Sequence, residues 1–202
     1  KGIIGISKSF LTNTIYPFYY RYFTQLGFKL VLSDNVDKDG ADKIRTAYCY
    51  PAEISHGLFQ DLVKKNVDYI FLPHISQMKT GSGQKYSRVC VFVQAENYYL
   101  RSTFKEDKMP EILSPVIDVS EGIDNVKESF IKLGRKLGCN NRLSGEAFDN
   151  AFGMYQNMLK EFSEIGIQVI KEIEKDKSKF AVILFGRSYN AFAQEANLNI
   201  PH

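Results

Sequence analysis

Residues 2–33 read GIIGISKSFLTNTIYPFYYRYFTQLGFKLVLS, and this stretch decides the fold. Gly2 to Ser7 is a short apolar run rich in β-branched residues, bounded by glycine and by the polar Ser7-Lys8-Ser9, and it reads as a buried strand. Tyr16 to Leu26 carries aromatics at nearly every position, with Pro17 suited to a first helical turn and Gly27 to a helix end. Phe28 to Ser33 reads as a second strand. Strand, helix and strand within about thirty residues open a βαβ unit, the building block of parallel sheets.

The rest of the chain continues the alternation. Asp34 to Ala47 is polar, is broken by Gly40, and reads as a loop with a short helix. Ile54, Leu58, Leu62 and Val63 recur at helical spacing and predict a helix over Ala52 to Lys65, with Pro51 near its first turn. Val67 to Pro73 is a third strand, with Pro73-His74 at its carboxyl end. The polar stretch Ser76 to Ser87 lacks the GxxxxGK[ST] spacing of a P-loop, and Gly81 and Gly83 fit a surface loop. Val89 to Val93 reads as a strand or the entrance to a site, followed by a short helix over Asn97 to Phe104 and a charged turn over Lys105 to Pro110. A strand over Pro115 to Ser120 and a helix over Ile123 to Leu137 follow. Ser144 to Lys175 keeps helical periodicity without proline, its Met and aromatic stripe suited to packing. Lys179 to Gly186 carries the strongest strand pattern and ends in Gly186-Arg187-Ser188-Tyr189-Asn190, beyond which the sequence is loop-like. The expected architecture is a Rossmann-like three-layer α/β sandwich with a mostly parallel sheet and a long helix at 144–175. It is expected as a single domain over 1–202, or as two lobes that share a sheet.

Composition narrows the function classes. Of 202 residues, 44% are hydrophobic and 24% charged, which is ordinary for a globular protein. A net charge of +3 with scattered basic residues argues against a nucleic-acid surface. No apolar run reaches the length of a membrane span, and KGIIGIS lacks a signal-peptide pattern. Three well-separated cysteines, Cys49, Cys90 and Cys139, make a poor disulfide framework and fit a reducing, cytoplasmic setting. No CxxC pair offers a zinc ribbon or thioredoxin motif. The chain opens on Lys and stops on Ile200-Pro201-His202, and it is read as a piece of a longer multidomain polypeptide.

The scarce reactive residues cluster by element. Cys49 stands just before a helix start, where unpaired amides and the helix dipole favour an anionic ligand or a metal-bound thiolate. His74 stands at a strand carboxyl end, where open α/β sheets hold their ligands, and Arg187 follows the last expected strand. With Cys90, these residues outline a crevice suited to a soft metal or an iron–sulfur cluster, although two thiolates and one imidazole fall one short of the usual four ligands. Competing readings are a Cys49 nucleophile activated by His56 or His74, an anion site at Arg187, and plain packing. Cys139, past a helix end, and His56, at helical spacing, suit packing.

Several of these blocks also carry a family resemblance. Cys49-Tyr50-Pro51-Ala52-Glu53-Ile54-Ser55-His56-Gly57 followed by Val67-Asp68-Tyr69-Ile70-Phe71-Leu72-Pro73 resembles the CYPAK…HGH…GVDFIFLP segment of a domain of unknown function. That domain occurs in 2-hydroxyacyl-CoA dehydratase activase-related proteins, also called CoA-substrate-specific enzyme activases. Cys90-Val91-Phe92-Val93-Gln94 through Tyr98-Tyr99-Leu100-Arg101 is similar to its CPxVQ…PYxLK block. Gly186-Arg187-Ser188-Tyr189-Asn190 with Asn199-Ile200-Pro201 resembles its GRPYN…GIP end.

The resemblance implies an α/β domain related to cluster-binding dehydratase subunits, in which cysteines hold an iron–sulfur cluster that an ATP-hydrolysing activase domain supplies with electrons. Cys49 and Cys90 sit on the family's cysteine positions, His74 stands where some members carry cysteine, and Val91 and Ser188 replace family prolines. The expectation is an iron–sulfur-associated redox accessory domain, with Cys49, Cys90 and His74 toward the metal and Arg187 toward the bound cofactor. Its expected partners are the ATPase activase domain of the same polypeptide and an acyl-CoA dehydratase-type protein. The alternative is a degenerate scaffold domain that holds no cluster.

Overall fold

The computed structural model describes residues 1–45, 49–79, 87–105, 108–176, 178–191, 194–198 and 200. Its strands are β1 (Ile3–Ile6), β2 (Lys29–Leu32), β3 (Tyr69–Phe71), β4 (His74–Met78), β5 (Glu111–Leu113) and β6 (Val116–Val119). The first sheet runs β2-β1-β3-β5 and is parallel throughout, with Ile4 opposite Leu30, Gly5 opposite Ile70, and Ile70 opposite Ile112. β4 and β6 pair in parallel as a second sheet. The two sheets meet at Leu72-Pro73 and Ser114-Pro115, where the Leu72 amide donates to Leu113 O and the His74 amide to Pro115 O, both at 2.9 Å. Proline has no amide for a ladder, so both strands break at the same level and then resume.

The helices are α1 (Thr12–Gln25), α2 (Lys38–Ala41), α3 (Tyr50–Lys64), α4 (Val91–Thr103), α5 (Lys127–Lys136), α6 (Asn141–Lys175), α7 (Ser188–Ala191) and α8 (Gln194–Asn197), with a 3₁₀ turn at Ile123–Val126. They cover both sheet faces. Successive strand residues point to opposite sides, so Phe71 meets Tyr19 and Phe23 of α1, while Ile70 joins Phe59 and Leu62 of α3 and Leu100 of α4. On the α1 side, Phe18 and Tyr22 pack edge-on against Phe130 of α5, Phe18 also meets Phe148 of α6, and the Tyr22 hydroxyl donates to Phe130 O at 2.6 Å. This is the expected three-layer α/β sandwich with a mostly parallel sheet. α1 closes with Gly27 at φ +88, the Phe28 amide donating to Phe23 O and the Gly27 amide to Thr24 O, which is the paired pattern of a glycine-terminated helix.

Several elements differ from the sequence reading. α1 begins at Thr12, so Pro17 lies inside the helix rather than in its first turn and one intrahelical hydrogen bond is missing there. Val89 to Val93 is not a strand: Cys90 caps α4 and Val91 begins it. β4 occupies part of the stretch read as a polar loop because the β3 chain resumes pairing past Pro73; residues 80–86 of that loop lie outside the described residues. The largest departure is at Lys179 to Gly186, which forms no strand and leaves Phe180, Val182, Ile183 and Phe185 between 70% and 92% exposed. Its physical reason lies in α6, which runs unbroken from Asn141 to Lys175. Ala147, Phe148 and Ala151 are buried at its start, whereas Phe162, Ile165 and Ile170 near its end are exposed, and an apolar run without a paired neighbour has no ladder to join.

Candidate functional site

The order β2-β1-β3 sends the chain from β1 outward in both directions, which makes the carboxyl ends of β1 and β3 the switch point where open α/β sheets bind ligands. Two long helices begin at this edge with a cysteine at the N-cap. Cys49 has an extended backbone, φ −153 and ψ 105, and its carbonyl accepts from the Ala52 amide at 2.9 Å, with proline within the first two helical positions. Cys90 caps α4 in the same way, its carbonyl accepting from the Gln94 amide at 3.1 Å. Neither thiol forms a capping hydrogen bond, and both cysteines are free and half-buried.

The segment after the exposed apolar run returns to these cysteines. Ser188 at the start of α7 accepts from the Thr14 hydroxyl of α1 at 2.9 Å, and the Tyr189 ring meets Phe10 edge-on at 5.3 Å. Burial raises the pKa of the Tyr189 hydroxyl; Arg187 lowers it, and the charges of Cys90 and Cys49 raise it further. Arg187, Cys90 and Cys49 therefore all lie within electrostatic reach of one phenol. Arg187 is exposed and forms no ion pair among the described residues.

His74 is not gathered with these cysteines into a metal-holding group among the described residues. It heads β4, its ring lies edge-on to Tyr98 at 5.7 Å, and its buried Nδ1 has no hydrogen-bond partner. Among the described residues no group of three or more His, Cys, Asp or Glu side chains is gathered so as to hold a metal ion, so His74 does not complete a three-ligand set with Cys49 and Cys90. The donor chemistry present is a pair of thiols. It fits a soft metal or iron–sulfur cluster as two of the usual four ligands. A nucleophilic Cys49 has no imidazole partner among the described residues. The His56 ring is instead spent on the Ala52 carbonyl at 2.7 Å and stacks on Tyr99 at 5.1 Å, and burial lowers its pKa against the opposing pull of that carbonyl. Cys139 is buried, its sulfur 3.1 Å from the Lys1 ammonium.

A buried polar group joins α3, α4 and the turn after β1. The Glu96 carboxylate on α4 accepts from the hydroxyls of Ser9, in the β1–α1 turn, and Ser55, on α3, the latter at 2.7 Å. Burial raises its pKa, and the two serine hydrogen bonds pull the other way. Sequence reading missed Glu96 because it began this helix at Asn97. Starting the helix at Val91 puts Glu96 and Asn97 on the inward stripe with Val93 and Leu100, and a carboxyl on an inward stripe is the signal that could have found it.

A three-layer α/β domain with a cysteine pair at the carboxyl edge of its sheet is the class this geometry defines. The family model of the CoA enzyme activase uncharacterised domain (DUF2229) matches residues 3–202, and the chain belongs to that family. Searches of curated proteins and of solved structures find no match. No helix among the described residues is long and apolar enough to cross a membrane.

Proposed function

We propose that this domain is an iron–sulfur-associated redox accessory unit of a CoA enzyme activase-type protein, with Cys49 and Cys90 as two thiolate ligands that ligands from another domain complete. The observation that supports it is that two free, half-buried cysteines cap the amino ends of α3 and α4, and that both pack, with Tyr189, against the same core cluster. A cluster supplies one-electron transfer at potentials set by its ligands and surroundings. The residues of this chain hold and orient it. The amino ends of α3 and α4 favour the negative charge of thiolates, and the Phe10 and Tyr189 rings restrict water on one side. Arg187, exposed at the mouth, offers a planar cation to an anionic group such as a CoA phosphate. The electron source in this reading is an ATPase activase domain of the same polypeptide and the recipient an acyl-CoA dehydratase-type protein, in the reducing cytoplasm that free cysteines suit.

Anaerobic purification and reconstitution with iron and sulfide, read by visible absorption and electron paramagnetic resonance, test the proposal. Cluster signals in the protein that are lost in Cys49→Ala and Cys90→Ala support it, and signals unchanged by both substitutions sink it. A second reading, a scaffold domain that holds no cluster and arranges its neighbours, is favoured by the donor set stopping at two thiols. It expects no iron after anaerobic purification and little loss of parent activity in Cys49→Ser.

A further inference from the structure

At the switch point of the sheet a small cavity of about 20 Å3 is lined by the turn after β1 and by the end of β3. Its polar lining is Ser7, Ser9, Thr12, Tyr19 and Glu96. Tyr19 is 1% exposed, and its hydroxyl has no hydrogen-bond partner. Tyr19 and Glu96 both line this cavity, and burial, then Tyr155, then Glu96 raise the pKa of the phenol. A phenol buried without a partner is costly, and native interiors meet such a need with an ordered water when the space is polar and large enough for one. A cavity of this size takes one water-sized molecule and nothing larger.

The backbone around the cavity is shaped for it. Phe10, 3% exposed, adopts φ +40, a left-handed conformation that a bulky residue rarely takes. That turn carries the Ser9 hydroxyl to Glu96, closes the cavity with the Phe10 ring, and presents the same ring to Tyr189. The Phe10 ring therefore stands between the cavity and Tyr189.

We propose that this cavity is a built site for one water molecule, held between the Tyr19 hydroxyl and the Glu96 carboxyl at the switch point of the sheet. The water gives the phenol the partner that no side chain supplies. It also extends the hydrogen-bonded chain from Ser55 and Ser9 through Glu96 to Tyr19, which ties α3, the β1–α1 turn, α4 and α1 together at the switch point. This site does not depend on the cluster reading, because none of its groups is a thiol.

Tyr19→Phe tests the site, since it removes one oxygen and keeps the ring that packs on Phe71 at 4.8 Å. With a resident water the substitution strips away a ligand and lowers Tm by about 2–4 °C. A Tm that is unchanged or raised means the hydroxyl was unsatisfied and overturns the proposal. A Tm that climbs when potassium or ammonium replaces sodium would assign the cavity to a cation and overturn it as well. A high-resolution crystal structure is the second measurement: a density peak within hydrogen-bond distance of both Tyr19 Oη and the Glu96 carboxyl supports the water, and no peak there sinks it.

Discussion

Glu96 shows how much one buried side chain can be asked to do. Its carboxyl is 7% exposed, and burial favours the protonated form over the ionised one. The folded state then holds a proton at pH values where the unfolded chain, with an ordinary glutamate near 4.3, has released it. Stability contributed by this proton is complete below that value and is lost as pH rises through the raised one. Each unit of elevation corresponds to about 1.4 kcal/mol across the window. Glu96→Gln keeps the shape and removes the titration. The expected outcome is a Tm that falls less steeply with rising pH in the variant than in the parent, and parallel curves would rule out this role for Glu96. His56 contributes the opposite slope, because burial lowers its pKa: its share of stability is complete above the ordinary histidine value near 6.5 and is lost as pH falls toward the lowered one. The two residues also mark what the sequence can disclose. Cys49 stands out as a scarce group and does lie at a helix start as expected, whereas the sequence reads Cys90 and Arg187 beside strands at 89–93 and 179–186 that do not form. The Glu96 contact with Ser9 and Ser55 joins three distant segments, and no local pattern announces which hydroxyls a buried acid will meet.

Elements were legible where their period was clear and ambiguous where two periods fit. The strand–helix–strand opening, α3, α5 and α6 follow their apolar spacing. The β-branched run at Val89 to Val93 fits a strand locally, but Cys90 caps a helix there because its inward stripe continues through Glu96, Asn97 and Leu100. One feature of α3 could be read only in three dimensions. Gly57 faces the turn before α2, where an added Cβ would stand 2.5 Å from Val36 Cγ1 and 2.8 Å from Asp37 O. The Asp37 carbonyl belongs to the cap of α2, so that backbone cannot yield without disturbing the α2 start. Gly57→Ala is expected to destabilise the protein by about 1–3 kcal/mol through this clash, even though alanine favours a helix over glycine. Chemical denaturation measures it. A variant as stable as the parent would show that the α2–α3 contact adjusts freely.

At the scale of the whole molecule, the body built by α1, α5 and the sheet is distinct from the far end of α6. The turns from Met154 to Lys175 rise about 33 Å at the usual helical pitch, and their apolar side chains Leu159, Phe162, Ile165 and Ile170 are 47–62% exposed. Single exposed apolar residues are ordinary, but a helical stripe of this length is a large apolar surface, and the run at 180–185 adds a second exposed apolar stretch. The sequence announced the stripe and could not announce its exposure, because periodicity reports that a face is apolar and not what covers it. Stability should therefore be distributed unevenly. Amides in the second half of α6 are expected to exchange with solvent much faster than those of α1 and β1, whose side chains Phe18, Tyr22, Ile4 and Ile6 are fully buried. Hydrogen exchange read by mass spectrometry resolves the two regions. The matching substitution is Phe162→Glu together with Ile170→Glu. Both residues lie on one helical face and outside the buried clusters, so the Tm of the body should move by no more than a surface change produces, about 0.5 kcal/mol per site. Binding of a hydrophobic dye and self-association should fall, since two carboxylates now interrupt the stripe. A large loss of Tm in the double variant would mean that this half of α6 is packed into the body after all.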